Sequence, residues 1–223
     1  MYKDTSNAGE HLRPVFEATL MGCNLIVSIA QKSTSQIKIA KASTKNDAKS
    51  STVIIDMDSE EAKAILSNWL KAHVREELFI ADGYFGMKDL WVLQVVKGVN
   101  PNCKVYILTS KEHNKDIVSP EEEYLEYWRL NISDQETPPT EVFIVRTTSS
   151  TTSPIHDRWW ISGKAGIGVG TSISGLGGNR ISEIRDLTAD EAEEREEIIK
   201  RFVIQKIREY KGNKIHYSSF TMP

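Results

Sequence analysis

His156 and Arg158 stand two residues apart in the stretch SPIHDRWWISGKAGIGVGTSISGLGG, Ser153 to Gly178. In an extended strand, residues i and i+2 project from one face. An imidazole and a guanidinium would then point the same way, with Asp157 on the other side. Gly170 follows, where the missing Cβ lets backbone approach a ligand, and Thr171, Ser172 and Ser174 add hydroxyls. A histidine, a fixed cation and a set of hydroxyl or amide donors suit a phosphate group. The imidazole has a second capability, attack on phosphorus to form a covalent intermediate. The plainer alternative is a buried histidine paired to Asp157 or to a backbone carbonyl.

The flanking residues divide in the same manner. Glu183 is a candidate to support His156 or Arg158, while its ordinary role, with Arg180 and Arg185, is a salt-bridged and solvated strand face. Trp159 and Trp160 fall on opposite faces of one strand. One then belongs to the core and the other to a helix or dimer contact, the alternative being a platform on which a base stacks. Gly163, Gly166, Gly168 and Gly170 read as turn and close-packing glycines. No Gly-Lys-Ser/Thr follows them, which excludes a P-loop.

These residues need a scaffold, and the chain upstream supplies one. TVIIDM is a β-branched strand, and Asp58 or Ser59 can cap the helix SEEAKAILSNWLKAHV, whose Ala62, Ile65, Leu66, Trp69 and Leu70 recur at helical spacing. EELFIADGYFG is the next strand, and its Tyr84–Phe85 pair lies at the carboxyl end, where α/β sheets place ligands; core packing is the plainer use. MKDLWVLQVVKG predicts a helix ending at Gly98, NPNCKVYILTS a strand, SPEEEYLEYWRLNI a helix capped by Ser119 with Pro120 in its first turn, and TEVFIVRTT a strand. Strand and helix alternate, which argues an α/β sheet. RWWISG, GIGVGTS and ISEIRDL then read as short strands. TADEAEEREEIIKRFVIQKIREY predicts a helix capped by Thr188, acidic at its start and basic towards its end. Residues 1–52 form an extension in which FEATLMGCNLIVSIA is helix or strand and QIKIAKA an edge strand within a polar, Ser/Thr/Lys-rich stretch. The expected division is therefore 1–52 and 53–223.

Composition narrows the functional classes. The chain has 223 residues, 26% of them charged, and a formal net charge of −3. A sequence-independent duplex binder is ordinarily basic, so any nucleic-acid contact rests on a local pocket. The acidic cluster from Asp190 to Glu197 reads as a solvated helix face that disfavours DNA on that side. Cys23 and Cys103 are far apart and read as buried thiols, which fits a reducing cytoplasm. No apolar run approaches the ~20 residues of a membrane span, and the N-terminal MYKDTSNAGEHLRP has no apolar signal core.

The spacing His156-x-Arg158 … Gly170-Thr171-Ser172 resembles the phospholipase D superfamily, whose motif pairs a His-x-Lys with a downstream Gly-Ser segment. IHDRWWI, GTSISGLG and NRISEI are most similar to variant lobes of that superfamily in bacterial mobile-element and defence-associated proteins. The resemblance runs in element order over roughly residues 53–210 and is specific only from His156 to Gly170. Arginine replaces the lysine, Gly163 takes the place of the aspartate, and Ser174 most simply takes that of the asparagine. The resemblance implies an α/β lobe with a mixed sheet flanked by helices. It also implies phosphodiesterase chemistry without metal or other cofactor, with His156 as nucleophile or acid and Arg158 as clamp. Gly170, Thr171, Ser172 and Ser174 would hold the phosphate, with Glu183 as support. His11, His73, His113 and His216 lie in no comparable context, so a complete site would need a homodimer with two His156 residues face to face. The partner implied is nucleic acid or another phosphodiester, and the setting a bacterial defence complex. The alternative is a catalytically inactive phosphate-, nucleic-acid- or partner-binding module.

Overall fold

The computed structural model describes the strands at 26–29, 37–40 and 51–54, and then residues 59–148, 154–177 and 181–223. Asp58, Cys23 and Arg180 lie outside the described residues. Two short strands, β1 (Ile26–Ile29) and β2 (Ile37–Ala40), pair antiparallel as a separate ribbon. β2 falls within the segment expected as an edge strand.

The remaining strands form one mixed sheet. β3 (Ser51–Ile54) is followed by helix α1 (Ser59–His73), then β4 (Glu77–Ala81), α2 (Trp91–Val99) and β5 (Lys104–Ser110). α3 (Pro120–Asn131) leads to β6 (Thr140–Thr147), and β7 (Arg158–Ser162), β8 (Ala165–Val169) and β9 (Ser182–Asp186) follow. α4 (Ala189–Val203), β10 (Glu209–Tyr210) and β11 (Asn213–Met222) complete the chain. The strand order is β10-β11-β6-β5-β4-β7-β8-β9-β3. β4, β5 and β6 run parallel, and every other neighbouring pair is antiparallel.

Alternation along the strands splits the core into two layers. Leu78 and Ile80 of β4 pack towards α1, α2 and α3 with Leu66, Leu70, Leu93, Tyr124 and Trp128. Phe79 and Ala81 pack towards α4 with Ala192, Ile199, Phe202 and Val203. Trp160 is fully buried in the first layer, and Trp159 packs against the second, so the two tryptophans do lie on opposite faces. Fully burying a large apolar side chain is worth about 1.5–3 kcal/mol, which makes Trp160, Phe79 and Phe143 principal anchors. Cys103 is buried, and desolvation pushes its thiol up to about 11.

Local chemistry explains where the elements stop. Thr188 caps α4 through a reciprocal capping box with Glu191. The cap of α3 is built differently from the expectation: the Ser119 hydroxyl makes no cap bond, and the Glu123 carboxylate accepts from the N–H groups of Val118 and Ser119. α2 runs through Gly98 and ends at Val99, because Asn100 leaves helical geometry and donates its amide to the Arg75 carbonyl. α4 is shorter than its charge pattern predicts. It ends at Val203, and Lys206 at φ 49° turns the chain into β10 and β11. β11, which the sequence reading did not anticipate, closes the sheet against β6 from Ile215–Thr147 to Met222–Thr140.

Candidate functional site

The topology gathers the motif at one sheet edge. β4 and β5 are parallel, so their carboxyl ends lie side by side. β7 runs antiparallel to β4, with Ala81 opposite Trp159, which brings the start of β7 to that same edge. β8 returns antiparallel to β7, with Val169 opposite Arg158, and β9 starts beside Val169. His156, Arg158, Gly170 and Glu183 therefore converge although they sit on separate elements. They line a pocket of about 270 Å³ together with Asp157, Trp159, Arg185 and Arg195.

His156 and Arg158 occupy opposite environments. β7 begins at Arg158, so strand alternation does not reach His156 and Asp157. The His156 side chain is 98% exposed, and its Nδ1 lies 3.3 Å from Asp157 Oδ1. Asp157 thus stands beside the imidazole rather than across the strand from it. Arg158 is recessed, with its side chain 14% exposed. Its Nε forms an ion pair with Asp82 Oδ1 at 3.4 Å, and its Nη1 donates to the Gly170 carbonyl at 3.3 Å. Its guanidinium carbon sits 4.9 Å from the centre of the Tyr84 ring. Nε is buried without an aligned acceptor, so the Asp82 contact is electrostatic rather than a directed hydrogen bond.

Asp82 was absent from the sequence reading, and it pairs with Arg158 although it does not itself line the pocket. It follows β4 directly and is wholly buried. Oδ1 accepts from the Tyr84 N–H at 2.8 Å, and Oδ2 has no hydrogen-bond partner. Burial pushes its carboxyl up, opposed by the Tyr84 N–H, the Arg158 charge, the Ile173 N–H and His113. Asp89 lies behind it. Its Oδ2 accepts from the Gly86 N–H at 2.8 Å and its Oδ1 is unpartnered. Desolvation pushes Asp89 up to about 7, against the Gly86 N–H, and the neighbouring Asp82 adds to the rise.

Hydroxyls from β5 lock the loop that carries these acids. Thr109 Oγ1 donates to Phe85 O at 3.0 Å and Ser110 Oγ to Gly83 O at 2.6 Å. Asn114, held by Tyr124 OH at 2.9 Å, also donates to Ser110 O. Phe85 is buried in the core, whereas Tyr84 is 49% exposed and meets the His113 ring edge-to-face at 5.3 Å. His113, set aside on sequence grounds, therefore belongs to the same edge. An aspartate after an apolar strand, as in FIADGYFG, was the one visible signal.

The glycines and hydroxyls have specific places. Gly163 has φ +58° and opens the β7–β8 turn, the pattern of a type II′ hairpin. A Cβ on Gly170 would lie 3.2 Å from both N and O of Glu183, so this glycine lets β8 approach β9. Thr171 and Ser172 direct their hydroxyls over Gly175, to within 3.2 and 2.9 Å of where its Cβ would stand. Ser174 is exposed on the same turn. These hydroxyls follow Gly170 but do not line the pocket. Glu183 lines it, while the acid paired to Arg158 is Asp82. Arg185 is paired with Glu191 and Arg195 with Glu194, and Arg195 also lies over the Trp159 ring at 5.2 Å. Much of the acidic run on α4 is thereby tied to neighbouring cations, including Lys200 with Glu196.

No protein-family model matches the chain, and no curated protein matches its sequence. Among solved structures, TrmBL2, described as an archaeal chromatin protein with a novel mode of DNA binding, aligns over 93% of this chain and 64% of its own at 9% identity and a TM-score of 0.42. NucT from Helicobacter pylori aligns over 75% of this chain and 99% of its own, at 12% identity and a TM-score of 0.50. The likeness to NucT shows the fold: this chain is built as the phospholipase D-like α/β lobe, a mixed sheet flanked by helices, that its motif spacing suggested.

Proposed function

We propose that the chain is a metal-independent phosphodiesterase acting on nucleic acid, with a site completed by two copies. The observation that supports this reading is the pairing of a nearly fully exposed His156 with a recessed, anchored Arg158 in one pocket. A nucleophile must be reachable, and a phosphate clamp must be held still. In the proposed reaction one His156 attacks phosphorus and displaces the leaving oxygen, which takes a proton from the partner's His156. Water activated by that second imidazole then releases the phosphoryl group from the first. Arg158 offsets charge on the non-bridging oxygens, while the Thr171 and Ser172 hydroxyls, which turn over Gly175 outside the pocket, take no part.

The test is cleavage of labelled single-stranded DNA and RNA in excess chelator. The wild-type chain is expected to cleave and His156→Ala to fail. Sedimentation is expected to show a dimer at micromolar concentration; a clean monomer would contradict the two-copy site. A second reading is favoured by one observation: Arg158 is already engaged by Asp82, Gly170 O and Tyr84. On that reading the pocket recognises a phosphate without cutting it. Intact substrate between about pH 5 and 8, together with binding that Arg158→Ala abolishes, would select it.

A further inference from the structure

We propose that Asp82 is the positioning residue of this site: its buried carboxylate fixes the Arg158 guanidinium where a phosphodiester is gripped. This rests on the phosphodiester reading of the pocket and names the residue that sets its clamp. At the motif spacing an acid would be expected at Gly163, but that residue is the turn of the β7–β8 hairpin and cannot serve. Asp82 comes instead from the neighbouring strand. Because β4 and β7 are antiparallel, the end of one meets the start of the other, and the acid and cation meet at the sheet edge.

Three features distinguish a positioning role from a chance ion pair. First, Asp82 is wholly buried and Arg158 largely so. A charge pair taken out of water is held in one geometry, since either member left alone is costly. Second, the carboxylate is itself immobilised by the Tyr84 N–H, in a loop that Thr109 and Ser110 pin from β5. Third, Arg158 is confined on other sides by the Gly170 carbonyl and the Tyr84 ring. What remains open is the pocket that His156 also lines. The site then keeps its cation aimed at the ligand while one carboxylate beneath it limits the net charge.

The experiment compares wild type, Asp82→Asn, Arg158→Ala and the double variant, each first shown to melt cooperatively. One readout is the mobility of the Arg158 Nε–H group by nitrogen-15 relaxation; the other is binding of a labelled single-stranded oligonucleotide. Asp82→Asn is expected to make the Arg158 side chain mobile and to weaken binding roughly tenfold. In the Arg158→Ala background the same substitution should have little further effect, because the two residues act as a unit. An Arg158 side chain equally rigid in Asp82→Asn, or losses that add in full, would overturn the proposal. If wild type binds no oligonucleotide, the phosphodiester reading fails, and the relaxation data still decide whether Asp82 positions Arg158. Should Asp82→Asn not fold, Asp82→Glu, which keeps the charge but lengthens the arm, carries the same two readouts with the same expected direction.

Discussion

His156 and Arg158 are two residues apart and share a pocket, yet one is 98% exposed and the other 14%. His156 precedes the first residue of β7, whereas Arg158 lies in β7, which is paired on both sides. One residue therefore answers to solvent, and the other to the fold. On the proposed reading, the contrast teaches how a compact motif divides its work: reactivity is placed outside the sheet and charge placement inside it.

That division can be broken by substitution, and the variants should separate cleanly. His156→Ala has the largest expected effect on chemistry. Cleavage should fall by about a thousandfold or more, as for loss of a nucleophile, with little change in the melting midpoint, since the side chain is almost wholly exposed and touches only the exposed Asp157 beside it. Arg158→Ala should do the reverse in part. It weakens oligonucleotide binding and also strands Asp82 as a buried charge, at a cost on the order of 3–5 kcal/mol near neutral pH. Denaturant titration should show that cost shrinking as pH falls, because Asp82, already pushed up by burial, can take up a proton.

How much of this was legible in the sequence follows the same line. His156 and Arg158 were found by residue type and spacing, which survive without knowledge of the fold. The α/β alternation from Val53 to Thr147 was visible because helical and strand periods differ and glycines mark the ends. Asp82 was not, because an acid after an apolar strand also reads as the opening of a turn. Only the antiparallel pairing of β4 with β7 reveals its partner. β11 was missed because Asn213–Met222 is half polar, as the outer strands of a sheet are. The last turns predicted for α4 failed at Lys206, whose left-handed backbone no periodicity announces.

Two smaller effects sharpen the contrast on the buried side. Asp89 ordinarily titrates at 3.8 and is pushed up to about 7 in the fold. Between those values the folded chain holds a proton that the unfolded chain has released. Its contribution is therefore fully present below about pH 4 and lost as pH rises through about 7. Asp89→Asn should flatten that dependence, raising the melting midpoint more at about pH 8 than at about pH 5. Gly166→Ala should cost about 1–2 kcal/mol by overpacking. Its Cβ would meet Ile161 at 2.8 Å, Leu187 at 3.0 Å and Ala192 at 3.1 Å. A thermal melt reads this directly and should leave the His156 surroundings untouched.

The central claim is that an exposed histidine beside an anchored arginine cuts a phosphodiester without metal. Cleavage of a labelled single-stranded oligonucleotide in excess chelator, by wild type and by His156→Ala side by side, tests it most directly. The account predicts chelator-resistant cleavage by wild type that disappears in the variant. Intact substrate with wild type, or equal cleavage by both proteins, would contradict it.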